Sequence, residues 1–480
     1  MLIFSIFKKE IPQTITLQKN PLNSNYFYSK DLQQLLVGKQ LLPDEIPFSQ
    51  SLLDEHFQNG YIGYYQGVID RYCNRCGNQD KSLFYQFPCA RCGKTCTYCR
   101  KCIMMGRVQE CSNLYTWTGP ETTFSKQEQP LFWNGILSDP QQLASQQVVE
   151  AVRNPKTLLV WAVCGAGKTE VLFHGIAAAI TLGKRVCITT PRTDVILELA
   201  PRLKKAFPHT SIAVLYGGSE ERHVLAQLVL STTHQLLRFY QAFDVTIIDE
   251  VDAFPYTADT SLQFAVQKAR KPESTHILLT ATPSKQLQKQ AKSGQLPYVM
   301  IPARFHRKPI PVPKLKWCGN WKKSIEEKVI PTTIWRWVKQ RVDSATPYLL
   351  FFPNIDLMEQ ALPLLQKIDP QLQSVHAEDI QRKEKVQSLR EGKVLGLLTT
   401  SILERGVTIP RLDVAVLGAE EAIFTESALV QIAGRVGRKA DFPTGDITIF
   451  HYGRTYEMEG AVYHIQNMNH EAKKRGLLDG

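Results

Sequence analysis

The chain has 480 residues, of which 43% are hydrophobic and 21% are charged, and its formal net charge is +12. This length and composition indicate a globular protein of about three domains, and the positive charge favours a polyanionic partner such as nucleic acid. Basicity that serves only solubility is the alternative. No apolar run approaches the roughly 20 residues of a membrane span, and the apolar N-terminal stretch is too short for a signal sequence, so we expect a cytoplasmic protein.

The first 65 residues carry no chemical motif, although the leucines of Asp31–Leu42 have helical spacing. A cysteine-rich segment follows, which holds eight of the eleven cysteines. Clustered thiols in a cytosolic protein indicate Zn²⁺ rather than disulfides, and each Cys-x2-Cys turn supplies two of the four ligands of a tetrahedral ion. The eight cysteines could form one site with spare thiols or two sites, and the sequence leaves both open. They are Cys73, Cys76, Cys89, Cys92, Cys96, Cys99, Cys102 and Cys111.

A helix is predicted to begin near Pro140, with Ser138 or Asp139 as its N-cap. Gln141 in its first turn is the residue that we expect to pair with N6 and N7 of adenine. The alternative is a solvated helical glutamine.

A phosphate-binding loop is predicted next, because the apolar run Thr157–Trp161 leads into a glycine-rich turn and then into a helix-like segment. Lys168 would contact the β- and γ-phosphates of ATP, and the Thr169 hydroxyl would bind Mg²⁺. Ala162 stands where this pattern usually begins with glycine. A tight turn with an exposed lysine is the alternative. The predicted ATP-binding residues here are Cys164, Gly165, Ala166, Gly167, Lys168, Thr169 and Glu170.

From Thr157 onward, short apolar strands alternate with helix-length amphipathic segments, and the alternation resumes after the proline-rich stretch 302–313. This order predicts two consecutive α/β domains, each with a parallel sheet covered on both faces. The predicted strands are 185–190, 212–215, 228–231, 245–248 and 277–280 in the first domain, and 348–352, 394–398, 414–417 and 447–450 in the second.

Charged and hydroxyl side chains follow these strands. Asp249 is predicted to hold Mg²⁺ through water, and Glu250 to align and deprotonate the attacking water. The Thr-Ala-Thr at 280–282 could couple the γ-phosphate to movement of the second domain. Arg435 and Arg438 suit the role of arginine fingers, with a nucleic-acid patch as the alternative.

Other positions after strands offer hydroxyls, main-chain N–H groups and an arginine for sequence-independent contact with a phosphodiester backbone. An ordinary turn residue or helix cap is the alternative at each. The candidate DNA-binding residues are Arg192, Thr232, Thr233, His376 and Thr400.

The order of these motifs resembles superfamily 2 helicases, which contain two RecA-like domains in tandem. Tyr98–Arg107, Trp161–Glu170 and the segment 403–407 are more closely similar to the ComFA family of late competence proteins. By this resemblance we expect an N-terminal region, a four-cysteine zinc-finger module, an ATP-binding RecA-like domain and a second RecA-like domain. Their expected bounds are 1–65, 66–115, 116–304 and 305–480.

The resemblance also implies particular site residues. Gly406 would belong to the ATP site, and one zinc ion would be bound by Cys73, Cys76, Cys99 and Cys102. The chain departs from this pattern by adding four cysteines, enough for a second site: Cys89, Cys92, Cys96 and Cys111.

The family implies an ATP-dependent translocase that drives single-stranded DNA into the cytosol during natural transformation. It acts at the inner face of the cell membrane near the DNA-uptake channel and is linked to the proteins ComFC and DprA. The sequence leaves the oligomeric state open. A replication-restart or repair helicase of the primosomal type is the second hypothesis, and a zinc-dependent DNA-docking module with a vestigial ATPase is the third.

Overall fold

The computed structural model describes residues 16–404 and 409–479. The chain divides into two compact units. Unit 1 comprises Met1–Val160 and Thr169–Val299, and unit 2 comprises Trp161–Lys168 and Met300–Gly480. Among the described helices, none has the length and apolar content needed to cross a membrane.

The N-terminal part of unit 1 combines two short helices with small antiparallel ribbons. Leucines of the first helix pack with Ile62 and Tyr115 in one buried cluster. The predicted helix Asp31–Leu42 ends at Leu36, because Gly38 adopts a left-handed φ of +67° and turns the chain. The elements are α1 (Lys30–Leu36), α2 (Gln50–Gln58), β1 (Ile62–Gln66), β2 (Val68–Ile69), β3 (Tyr72–Cys73), β4 (Phe84–Pro88), β5 (Thr95–Cys99) and β6 (Asn113–Trp117).

These strands form three two-stranded antiparallel pairs, β1 with β6, β2 with β3 and β4 with β5. The last two pairs belong to the cysteine module, which we define as residues 68–111. In the hairpin of β4 and β5, Phe87 lies opposite Cys96 and Phe84 lies opposite Cys99.

A seven-stranded sheet follows, in the order β13-β7-β12-β11-β8-β10-β9. The pairings among β8, β9, β10, β11 and β12 are parallel. The elements are α3 (Asp139–Arg153), β7 (Thr157–Ala162), α4 (Lys168–Thr181), β8 (Val186–Thr190), α5 (Thr193–Ala206), β9 (Ile212–Leu215), β10 (Leu228–Thr232), β11 (Phe243–Asp249), α6 (Thr260–Ala269), β12 (Arg270–Thr280), α7 (Lys285–Lys292) and β13 (Tyr298–Ile301).

Unit 2 contains a six-stranded parallel sheet in the order β14-β19-β18-β15-β17-β16. Its central strands are almost fully buried, as expected for a sheet covered on both faces. The elements are β14 (Lys314–Trp317), α8 (Trp321–Glu326), α9 (Thr332–Asp343), β15 (Tyr348–Phe351), α10 (Ile355–Leu365), β16 (Gln373–Val375), α11 (Arg382–Arg390), β17 (Gly396–Thr399), β18 (Asp413–Leu417), α12 (Glu426–Ala433), β19 (Ile447–His451) and α13 (Tyr456–Lys474).

The predicted fold class, two parallel-sheet domains after a cysteine module, is confirmed. Each strand predicted from an apolar run is present within a few residues. The largest difference is β12, which begins at Arg270 rather than at Ile277. Its first residues are polar, but they continue the strand, and Arg270 pairs with Phe243 beside a register shift.

Candidate functional site

The predicted phosphate-binding loop connects β7 to α4, and Lys168 is the first residue of that helix. Gly165 and Gly167 adopt φ values of +82° and +69°, which side chains with a Cβ rarely take. Lys168 and Thr169 are only partly buried. Ala162 is the buried last residue of β7, so the position without glycine lies in the strand and precedes the turn.

The first turn of α3 is capped from within. Ser138 is the N-cap, and its main-chain N–H and its hydroxyl donate to Gln141 Oε1 at 2.8 and 3.0 Å. Gln141 is 3% exposed, which excludes the solvated alternative for this side chain. Its contact with adenine stays a prediction.

Glu170 forms an ion pair with Arg202, which joins α4 to α5 within unit 1. This contact gives the Glu170 carboxylate a structural partner, and its role at ATP stays a prediction.

The acidic segment after β11 is tied to the end of β12. Asp249 is the last residue of β11, and Glu250 adopts a φ of +60°. Two carboxylate oxygens of Asp252 accept hydrogen bonds, at 2.5 Å from the Thr280 hydroxyl and at 2.7 Å from the Thr282 hydroxyl. The threonines therefore contact the third acidic residue of the segment, and β11 and β12 end in one hydrogen-bonded group.

Within unit 2, Cys164 of the loop packs against the end of α12. The Cys164 thiol donates to Gln431 Oε1 at 3.0 Å. A Cβ on Gly434 would lie 2.4 Å from the Cys164 Cβ, so the close approach requires glycine at that position.

Arg304 is a residue that the sequence analysis missed. Its guanidinium, in a side chain 2% exposed, donates to the carbonyl oxygens of Cys164 at 3.2 Å, Val436 at 2.7 Å, Gly437 at 2.6 Å and Gly434 at 3.3 Å. Burial and then the nearby Arg438 lower its pKa to about 10, which leaves it charged at neutral pH. A lone arginine after a strand gave no sequence signal, because its acceptors are main-chain atoms distant in sequence.

The two predicted arginine fingers both lie just beyond the end of α12. Arg435 is 3% exposed, and its Nε donates to the Glu404 carbonyl at 2.8 Å. Arg438 is partly exposed, and its Nε donates to the Gly434 carbonyl at 2.9 Å. Gly406, the remaining predicted ATP-site residue, lies outside the described residues.

The predicted DNA contacts differ in accessibility. The Arg192 guanidinium pairs with both carboxylate oxygens of Asp194 at 3.3 Å. Thr232 and Thr233 are 5% and 0% exposed, so their hydroxyls do not face solvent, and DNA contact there would depend on the main chain. His376 and Thr400 are partly exposed. All five stay predictions.

The eight clustered cysteines form two separate groups of four. Within each group, the four sulfur atoms all lie within 4.8 Å of one another. The first group is fully buried, and its sulfur separations are 3.8 Å for Cys73 and Cys102 and 3.7 Å for Cys76 and Cys99. Of the second group, two members are only partly buried. The groups are Cys73, Cys76, Cys99 and Cys102, and Cys89, Cys92, Cys96 and Cys111.

The cysteine module packs on the part of unit 1 that contains the seven-stranded sheet. Lys268 of α6 donates through Nζ to Gln40 Oε1 at 3.0 Å and to the carbonyls of Arg75 and Leu237 at 2.9 Å. Burial lowers the pKa of this lysine to about 7. A Cβ on Gly77 would lie 2.7 Å from the ring of Phe264, so the module and α6 are in close contact.

Three family models match the chain. They are the competence protein ComFA N-terminal domain at residues 19–116, the DEAD/DEAH box helicase at 141–290 and the helicase conserved C-terminal domain at 333–440. The two helicase matches identify the chain as a helicase-like ATPase.

Similar proteins cover nearly the whole chain. It is 51% identical over 463 residues to competence protein ComFA of Bacillus subtilis, which covers 96% of this chain and 99% of that protein. It is 40% identical over 396 residues to competence protein ComFA of Streptococcus pneumoniae, with 80% and 90% covered. Among solved structures, S. cerevisiae Dbp5 bound to RNA and ADP BeF3 has a TM-score of 0.50 at 15% identity, covering 72% of this chain and 98% of that one. This last similarity shows the fold alone.

Proposed function

The chain belongs to the ComFA family of competence proteins, and from this we propose that it is an ATP-driven translocase that draws single-stranded DNA into the cytosol during natural transformation. The observation that carries the proposal is the bonding of Asp252 to Thr280 and Thr282, beside the acidic pair Asp249 and Glu250. In a helicase-like ATPase, these hydrogen bonds would transmit a conformational change at Asp249 and Glu250 to the loop after β12.

ATP and Mg²⁺ fit the residues at the loop. Positive φ angles at Gly165 and Gly167 open the turn, and the first N–H groups of α4 lack intrahelical partners, which suits an anion. Lys168 would bind the β- and γ-phosphates, and Thr169 and Asp249 would hold Mg²⁺, which neutralises phosphate charge when it is bound.

Other side chains would accept the proton and stabilise the charge that develops during ATP hydrolysis. Glu250 would orient the attacking water and accept its proton. Arg435 and Arg438 would stabilise the charge that develops on the transferred phosphoryl group. Arg304 touches neither the phosphates nor the water in this scheme, and we assign it the task of positioning the loop and the arginines.

Zinc fits the first cysteine group. Four thiolates at about 2.3 Å from a tetrahedral ion lie about 3.8 Å from one another, and the sulfurs of Cys73 and Cys102 and of Cys76 and Cys99 are 3.8 and 3.7 Å apart. Because the module packs on α6, zinc bound by Cys73, Cys76, Cys99 and Cys102 would also stabilise the segment 141–290 that matches the DEAD/DEAH box helicase model, which we call the helicase part of unit 1.

Membership of the family supports a proposal about the partner proteins and the cellular location. We propose that the protein works at the inner face of the cell membrane beside the DNA-uptake channel, with ComFC and DprA as partners. The net charge of +12 suits a polyanionic substrate.

The test is ATP turnover by the full chain with and without single-stranded DNA, alongside an unwinding assay on a forked duplex. We expect turnover that single-stranded DNA stimulates more than duplex DNA of the same sequence, with little opening of the fork. Efficient opening would favour the primosomal type of helicase instead. If the chain hydrolyses no ATP with or without DNA, the zinc-dependent DNA-docking module would be the remaining hypothesis.

A further inference from the structure

The second cysteine group has the size of a metal site. Its sulfur separations are 3.6 Å for Cys89 and Cys111 and 3.2 Å for Cys92 and Cys96. A tetrahedral zinc ion with four thiolates needs about 3.8 Å, so the two pairs of sulfurs would move apart by about 0.2 and 0.6 Å. All four cysteines are free thiols.

The two groups share the same main-chain turn, Cys-x-Arg-Cys-Gly. In the first group the Gly77 N–H donates to the Cys73 carbonyl at 2.8 Å, and in the second the Gly93 N–H donates to the Cys89 carbonyl at 2.9 Å. Both glycines are left-handed, with φ of +68° and +69°. The second turn is therefore built like the first, in which two thiols from one turn face one centre.

The main-chain N–H of the first cysteine in each turn makes a matching bond. Cys73 donates to the Asn78 carbonyl at 3.1 Å, and Cys89 donates to the Lys94 carbonyl at 2.9 Å. Each turn is thus closed by the same pair of hydrogen bonds.

A buried amide donates to the sulfurs of the second group. Gln109 is 4% exposed, and its Nε2 lies 3.0 Å from Cys111 Sγ and 3.6 Å from Cys89 Sγ. The first group has a comparable contact, from Asn78 Nδ2 to Cys99 Sγ at 3.7 Å. Hydrogen bonds of this kind orient thiolate ligands and offset their charge.

The strand β5 separates the two groups. Cys96 and Cys99 lie three positions apart on it, so their side chains point to opposite faces. One face supplies Cys99 to the first group, and the other supplies Cys96 to the second. A single ion cannot be shared between them.

We propose that Cys89, Cys92, Cys96 and Cys111 bind a second zinc ion, independently of the first site, and that this ion exchanges faster. The faster exchange follows from accessibility, because Cys92 and Cys111 are partly exposed whereas all four cysteines of the first group are buried. The second ion closes the tip of the hairpin of β4 and β5. This inference does not depend on the proposed translocase activity.

The test is the zinc content of the full chain, purified under reducing conditions, followed by release to a chelating dye over time. We expect about two equivalents of zinc and two release phases of similar amplitude. Cys92→Ser/Cys111→Ser should lose the fast phase and keep the slow one. Gln109→Leu, which removes the amide and leaves every cysteine, should accelerate the fast phase alone.

Two results would overturn the proposal. One is a single equivalent of zinc in the wild-type chain, and the other is an unchanged zinc content in Cys92→Ser/Cys111→Ser. Intact mass provides a control, since loss of two hydrogens from the wild-type chain would show a disulfide in place of the ion. Cobalt substitution gives a readout for variants of low yield, because the wild type should show twice the sulfur-to-cobalt absorption of the double variant.

Discussion

At the scale of single residues, the candidate ATP site uses positive charge in two ways. Lys168 is partly exposed at the start of α4, where it can reach a ligand. Arg304 is buried, and its guanidinium donates to four main-chain carbonyls. Lys168 is therefore suited to contact substrate, and Arg304 is suited to fix the position of the main chain.

Replacing Lys168 by alanine should lower ATP hydrolysis by about 10²-fold or more, because a charged donor to the transferring phosphoryl group is lost. The fold and the affinity for DNA should change little, since the side chain is at the protein surface. Steady-state ATPase and DNA-binding measurements check both. Lys289→Ala, at an exposed position of α7, is the control, and wild-type turnover in Lys168→Ala would contradict the assigned role.

Replacing Arg304 by alanine should destabilise the chain by about 3 kcal/mol or more, because buried carbonyl groups lose their charged donor. The expected fall in Tm is roughly 6 °C or more, with a raised KM for ATP from the displaced loop. The matched control is Arg307→Ala, three positions on, where an exposed pair with Asp479 should be worth about 1 kcal/mol at most. Equal Tm values for the two variants would refute the positioning role.

At the scale of elements, the contact between the ends of β11 and β12 joins the acidic segment to its neighbour in the sheet. Thr282 is 6% exposed, and its hydroxyl donates to Asp252. These parallel strands end at the same edge, so the contact follows from the sheet order.

Thr282→Val keeps the shape of the side chain and removes this hydrogen bond. We expect a loss of about 1–3 kcal/mol in the free energy of unfolding, because a partly buried carboxylate oxygen loses a donor. Stimulation of ATPase by DNA should fall more than ATP affinity does. Chemical denaturation and ATPase assays measure both, with the exposed Thr257→Val as control, and an unchanged stimulation would argue against coupling through this contact.

Much of this element structure could be predicted, since buried parallel strands appear as short apolar runs such as Tyr348–Phe351. The polar start of β12 could not, because its pairing depends on Phe243 in another strand. The partition of the cysteines could be predicted only from the resemblance to the ComFA family, and the structure has the same two groups, whereas the residues alone left one site or two open. The partition depends on Cys96 and Cys99 facing opposite sides of β5, a strand whose apolar pattern is too weak to recognise.

At the scale of the whole molecule, two lysines, Lys39 and Lys268, connect the N-terminal region to the helicase part of unit 1. Lys39 is 2% exposed, and its Nζ donates to the Arg222 carbonyl at 3.0 Å. Burial, followed by the charges of Arg185 and Arg238, lowers its pKa to about 7.

This shift predicts a pH-dependent stability. The unfolded lysine has a pKa near 10.4, so between about pH 7 and 10 the unfolded chain binds a proton that the folded chain does not. Stability should therefore rise with pH in this window, by up to about 1.4 kcal/mol per pH unit for each such lysine. Lys39→Met should therefore lower the slope by up to about 1.4 kcal/mol per pH unit.

Thermal unfolding at several pH values measures this slope. Lys30→Met, at an exposed position of α1, should retain the wild-type slope. A wild-type slope in Lys39→Met would mean that this ammonium keeps its proton on folding.

The three bonds of Lys268 constrain how such a chain can be recombined. One ammonium is shared among Gln40 before the cysteine module, Arg75 inside it and Leu237 in the helicase part. A chimera spliced in the segment between β6 and α3, with a helicase core from a protein outside the family, would leave this donor or its acceptors without a counterpart. The N-terminal region, the cysteine module and the helicase part of unit 1 should therefore be transplanted together.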